Sequence, residues 1–262
     1  MSRERPTVRI RGRQRGFTLL EILIALSLGL FVLAALLTIV QTNRAVYGDQ
    51  SQLAQLQDNE RMAMTLMTDV IQSAGYFPTT IPPTITQDTS LTATTGDGYA
   101  FPVGQSMYGT YSATVPGDAI YVRYMTASGD GVLNCSGVPN TTGANTLYVN
   151  EFYVAGGQLV CNMNGTPYNL VSGVTNSTTT LGVTNLSILY GVKRNAALPG
   201  NNVDTYLNAS LMTAADWSSV ISVMIELTFT NPLYNTNGST TQPKTVYIQR
   251  VVGVMNQLGP VE

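Results

Sequence analysis

The sequence predicts an α+β plan. A long N-terminal α-helix, transmembrane in its first half, packs on an antiparallel β-sheet globular domain with long loops. Three observations predict it. Residues Phe17 to Val40 make 24 positions whose only charge is Glu21. The stretch that follows keeps helical spacing but becomes amphipathic, and beyond Gly75 the apolar period changes from three-and-four to two.

The first element follows from the apolar run. Ile22–Val40 alone gives 19 residues, about 28 Å as a helix, enough to cross the hydrocarbon core of a bilayer. Six arginines precede it (Arg3, Arg5, Arg9, Arg11, Arg13 and Arg15) and would hold the N-terminus in the cytoplasm. A secretory signal has a shorter apolar core followed by a polar region and a small-residue cleavage site. Here Ala34-Ala35 sit among leucines instead. A plain anchor fits the length but leaves Glu21 unexplained, because an ionised group at mid-bilayer costs about 2.5–3.5 kcal/mol on insertion scales and less near an interface.

The second element continues the first. Leu53, Leu56, Ala63, Met67, Val70 and Ala74 recur at three- and four-residue steps, and Leu66 and Ile71 widen the stripe. Gly75 and Pro78 end it. One helix from Phe17 to Ala74 results, 58 residues and about 87 Å if unbroken. Gly48 marks the expected kink or melting point. Met62, Met64 and Met67 read as core filling.

Alternating segments then predict strands at 119–124, 146–154, 158–161, 182–192, 222–230 and 245–252. Between them lie Thr/Asn/Gly/Ser tracts at 79–98, 126–145, 172–180, 195–210 and 231–243, long enough to concentrate any surface function. Asn140, Asn164, Asn176, Asn185, Asn208 and Asn237 each fit N-x-[ST] and read as turn composition.

Composition excludes several functions. Charged residues are 11% of the chain, and the net charge of −2 hides an asymmetry. Without residues 1–16 there remain 7 basic and 14 acidic side chains, −7 in all, which gives no general reason to bind nucleic acid. There is no histidine, so no Ser-His-Asp or Cys-His arrangement can form within the chain, and neither a P-loop nor a dinucleotide fingerprint is present. The expectation is a protein that is not an enzyme, with neither cofactor nor metal. Gly96-Asp97-Gly98 and Gly129-Asp130-Gly131 read as turns, and Asp88, Asp97, Asp118 and Asp130 lack the spacing of a calcium loop. Cys135 and Cys161 would close a loop of about 27 residues as a disulfide in an oxidising compartment. Two buried thiols remain the alternative. Arg123 between Tyr121 and Tyr124, and Lys193-Arg194 after Tyr190, are the nearest approach to a basic-aromatic nucleic-acid surface.

Arg15-Gly16-Phe17-Thr18-Leu19-Leu20-Glu21 resembles the class III signal of type IV prepilins and pseudopilins. The resemblance implies cleavage between Gly16 and Phe17 by a prepilin peptidase, N-methylation of Phe17, and a role for Glu21 in assembly and recognition. Asn59-Glu60-Arg61-Met62-Ala63, Leu66, Asp69-Val70 and Ala74-Gly75-Tyr76-Phe77 resemble the helix-end signature of PilW-type minor pilins. Trp217-Ser218-Ser219-Val220 and Lys244 to Arg250 resemble their C-terminal segments, with Gln72 and Gln249-Arg250 as departures. Four parts follow: a cleaved cytoplasmic leader (1–16), a transmembrane and assembly helix (17–40), its amphipathic continuation (41–75) and a β-rich extracytoplasmic domain (76–262). The implied partners are the prepilin peptidase, other minor pilins, the major pilin and inner-membrane lipid, and the implied role is initiation of a type IV pilus at or near its tip. A minor pseudopilin of type II secretion and a tip adhesin or DNA-uptake module are the alternatives.

Overall fold

The computed structural model describes residues 16–78, 90–96, 98–171, 174–175, 180–195, 197–200, 202–234 and 241–258. It divides into two compact units, one up to Gln50 and one from Ser51 onward.

Helix α1 (Leu19–Gln72) runs through both. In the first unit every side chain from Phe17 to Tyr47 is exposed, and the apolar ones lack any protein cover. The hydroxyls are absorbed by the helix itself. Ser27 donates to the Ile24 carbonyl (2.9 Å), Thr38 to Ala34 (3.0 Å) and Thr42 to Thr38 (2.9 Å), so no polar side chain among them competes for another partner. The break expected at Gly48 is absent, since the helix is continuous there. A single helical glycine costs only about 1 kcal/mol, which the cooperativity of a 54-residue helix carries.

In the second unit α1 becomes one-sided as expected. Ala63, Met64, Met67, Val70, Ile71 and Ala74 are buried in the main core. Met62 corrects the methionine reading, being 51% exposed on the opposite face. The helix stops at Gly75, whose φ of 77° suits a residue without a side chain. The Gly75 amide donates to the Arg123 carbonyl (3.0 Å) and Met125 donates back to Tyr76 (2.9 Å), so the helix exit is stitched to a strand.

Two sheets flank the core. The first runs in the order β3 (Met107–Thr110), β4 (Ala119–Thr126), β5 (Thr146–Ala155), β6 (Gln158–Met163) and β7 (Thr166–Val171), all antiparallel. The second orders β11 (Thr205–Leu207), β10 (Val183–Val192), β12 (Ser222–Thr230) and β13 (Thr245–Gly253). Two small hairpins are β1 (Thr94–Gly96) with β2 (Tyr99–Phe101), and β8 (Val174–Thr175) with β9 (Thr180–Leu181). Ile120, Val122 and Tyr124 of β4, Phe152 and Val154 of β5, and Ile188, Ile225 and Leu227 of the second sheet meet the helix in one core. The six predicted strands are all present. Their short companions carried too little alternation to be read.

Asp118 ties the sheets together. Its carboxylate accepts from Ser112 N–H (2.9 Å) and from Ile188 N–H on β10 (2.8 Å), while its own amide donates to the Leu186 carbonyl (2.8 Å). The 126–145 tract is pinned rather than free. Buried Asn140 donates to the Thr126 (3.0 Å) and Ala144 (2.8 Å) carbonyls, and Cys135 is bonded to Cys161 of β6 with Cα atoms 6.0 Å apart. Replacing Cys135 and Cys161 together by alanine is expected to lower unfolding free energy by about 3 kcal/mol, measured by denaturant titration.

Candidate functional site

The N-terminal site is built on Thr18 and Glu21. Thr18 is the last residue before α1, and Glu21 lies three positions on, the spacing of a capping box. Glu21 Oε2 accepts from the Thr18 amide (3.2 Å) and hydroxyl (3.3 Å), and the Glu21 amide donates to Thr18 Oγ1 (3.3 Å). The carboxylate thus occupies the positive end of a helix dipole. Thr18 is the partner that sequence reasoning missed, and the T-x-x-E spacing carried the signal.

Glu21, Ala25 and Gly29 follow each other at four-residue steps on one face, with Ile22, Leu26, Leu30 and Leu33 around them. Small residues on an apolar helix let a neighbouring backbone come close. Gly16 and Phe17 are exposed ahead of the helix, Phe17 at 82%. An 18-residue window of α1 has a mean hydropathy of 2.8, enough in length and composition to cross a membrane. Residues 1–15 of the expected leader lie outside the described residues.

The basic candidates fare otherwise. Arg123 is buried and its guanidinium donates to carbonyls of Gln105 (2.6 Å), Thr92 (2.6 Å), Leu91 (3.2 Å) and Pro102 (2.6 Å), lying 4.6 Å from the Phe101 ring. Burial pulls its pKa down to about 10, so it still holds its proton at neutral pH. Arg194 forms a two-pronged pair with buried Asp216 (3.1 and 2.7 Å), and Lys193 donates to the Gly200 carbonyl. These cations serve the fold, so among the described residues this nearest approach to a basic-aromatic surface does not form one. Asp118 is likewise spent on backbone amides, and Asp130 closes a turn through Ala127 (2.8 Å) and Val132 (3.0 Å) amides. Asp88 and Asp97 lie outside the described residues, as do Asn176 and Asn237. Among the described residues no group of three or more acidic, cysteine or histidine side chains gathers for a metal.

Asp216 also caps helix α2 (Ala214–Trp217), accepting from the Thr213 amide and hydroxyl, both 2.7 Å. Trp217 beside it stacks against Tyr190 (4.7 Å) and Tyr108 (5.3 Å), one from each sheet. The Arg194 guanidinium, then the Thr213 bonds, hold the Asp216 carboxyl well below the usual carboxylate range, against the desolvation that opposes them. A depressed folded-state pKa contributes stability above the unfolded value near 3.9, and that contribution is lost as pH falls toward the folded one. Acid unfolding below about pH 4 is therefore expected to flatten in Asp216→Asn, a difference read from thermal melting as a function of pH.

Two family models match the chain. A prokaryotic N-terminal methylation motif covers residues 11–37, and the type IV pilus-assembly protein W model covers 141–256. The second includes Trp217 and β13, and it also takes in 141–216, where no resemblance was read. The helix-end signature at 59–77 lies outside it. No curated protein matches the chain. A solved type IV-like pilin from Thermus thermophilus aligns with 78% of this chain and 97% of its own, at 12% identity and a TM-score of 0.39. The fold stands on the elements described above, not on that likeness. A prepilin-type helix and an antiparallel sheet domain define a pilin-like protein. It is a type IV pilin-like protein that carries an N-terminal methylation motif and, over residues 141–256, a region matching the type IV pilus-assembly protein W model.

Proposed function

We propose that this chain is a minor pilin that helps to initiate type IV pilus assembly and stays in the fibre at or near its tip. Prepilin peptidase cleaves between Gly16 and Phe17, and the new amino group of Phe17 is methylated. Until assembly the protein is stored in the inner membrane as a single pass, N-terminus cytoplasmic and sheet domain periplasmic. Then it moves to the cell surface within the fibre.

One observation carries this reading. Glu21 is held by Thr18 at the head of an apolar helix whose side chains are uncovered in the chain itself. Such a surface must be covered by lipid or by other helices, and the Ala25–Gly29 face suits close helix packing. Cleavage puts a cationic amine one residue before Thr18. Two charges that are each costly in a low-dielectric setting cost far less when paired, so Glu21 of an incoming subunit meets the amine of a neighbouring one and sets the axial register. The match to a pilus-assembly model supports a pilus over a secretion assembly, with other minor pilins and the major pilin as neighbours. The commitment of Arg123 and Arg194 to internal bonds counts against nucleic acid as a ligand.

Glu21→Ala is expected to leave cleavage and methylation intact while reducing incorporation into sheared fibres at least tenfold, by immunoblot of fibre and membrane fractions. Glu21→Gln separates roles, because it retains an acceptor for Thr18 but has no charge. If the glutamine variant incorporates normally, the ionic pairing is refuted and only the cap remains.

A further inference from the structure

The outer face of the first sheet carries a polar cavity of about 240 Å³ that the assembly reading leaves unused. Its floor is one lateral row across three strands. Tyr121 of β4 pairs in register with Glu151 of β5, which pairs with Asn162 of β6. Within the row Asn162 Nδ2 donates to Glu151 Oε2 at 2.9 Å, and Tyr121 is the register partner of Glu151 on its other side. Tyr99 of β2 overhangs it with its ring centre 5.2 Å from that of Tyr121, and the Asn164–Gly165 turn completes the lining.

The walls are fixed before any ligand arrives. Arg123 holds the segments on both sides of the β1–β2 hairpin through the Leu91, Thr92 and Pro102 carbonyls. Gly98 brings the hairpin so close that a Cβ there would overlap the Tyr121 hydroxyl. Asn164 and Gly165 both have positive φ, 49° and 90°, and they form a two-residue turn that Asn164 Oδ1 locks by accepting from Val149 N–H at 2.8 Å. Within this rigid frame Asn162 Oδ1 is buried with no hydrogen-bond partner, an acceptor that folding leaves unmet.

The chemistry selects a class of ligand. The lining holds a carboxylate and no cation, which disfavours phosphates and sulfates. That carboxylate accepts from a neutral donor, Asn162 Nδ2, and acceptor positions remain for hydroxyls without demanding a positive partner. Tyrosine rings give apolar faces beside amides and a carboxylate, the combination that suits a ring with C–H groups on one side and hydroxyls at its edge. The volume lies below the roughly 300–1,000 Å³ of sites for drug-sized ligands, so a single ring-sized unit fits. We propose that the cavity lined by Tyr99, Tyr121, Glu151, Asn162 and the Asn164–Gly165 turn is a binding site for one neutral pyranose unit of a surface saccharide.

The test uses the full chain in a zwitterionic, sugar-free detergent and saturation-transfer NMR. The probes are the methyl glycosides of glucose, galactose and mannose, together with N-acetylglucosamine, glucose 6-phosphate and ethylammonium. At least one of the four neutral sugars is expected to receive saturation, with glucose 6-phosphate receiving at least fivefold less. Glu151→Gln and Tyr99→Ala are each expected to reduce the transfer at least fivefold while melting as the parent does. Should Tyr99→Ala fail to fold, the near-isosteric Glu151→Gln decides alone. Silence of all four neutral sugars, transfer unchanged in Glu151→Gln, or stronger transfer to ethylammonium than to any sugar each overturns the site. Fibre incorporation is untouched by any of these results.

Discussion

One helix has to satisfy two environments in succession, and the rest of the molecule is arranged around that constraint. Up to Val40 the helix is apolar on every face, and its hydroxyls are folded back onto its own carbonyls. From Ala63 it is apolar on one face only, against the cores of two sheets. Glu21 is the single charge in the uniform part, and it sits where a helix tolerates a carboxylate best, at the amino end with Thr18 as its partner. A carboxylate one or two turns further on would have had neither the dipole nor the cap.

The sheet domain solves a different problem, a shortage of charge. With few Lys, Arg, Asp and Glu available, buried polar groups are satisfied chiefly by backbone. Arg123 meets four carbonyls, Asp118 two amides, Asn140 two carbonyls, and Asn150 accepts from the Cys135 amide at 2.9 Å. Each of these bonds ties a loop to a strand or one sheet to the other. The abundance of Asn and Thr is therefore structural as much as superficial, because a short amide or hydroxyl can close backbone groups that no ladder reaches.

Much of this was legible in the sequence where a period was long enough to register. The helix ends within two residues of its expected bounds at both termini, and β4, β5, β6, β10, β12 and β13 each contain an apolar alternation. β7 escaped because Pro167 breaks the pattern, as an edge strand permits, and because Asn164 was read only as turn composition and not as the start of a two-residue hairpin turn. The fate of Arg123 could not be read. A basic residue flanked by tyrosines looks the same in sequence whether it faces solvent or carbonyls folded in from thirty residues away. The Glu21–Thr18 cap was readable from spacing alone, while the Tyr121–Glu151–Asn162 row required the strand register.

The account rests on the junction at residues 16–21 being a processing site that frees an amine for Glu21 to meet. Intact-mass and peptide mass spectrometry of the protein recovered from fibres tests this most directly. The expected N-terminal peptide begins at Phe17 and is one methyl group heavier than unmodified phenylalanine would make it. A peptide beginning upstream of Phe17, in protein that is nonetheless present in normal fibres, would contradict the account.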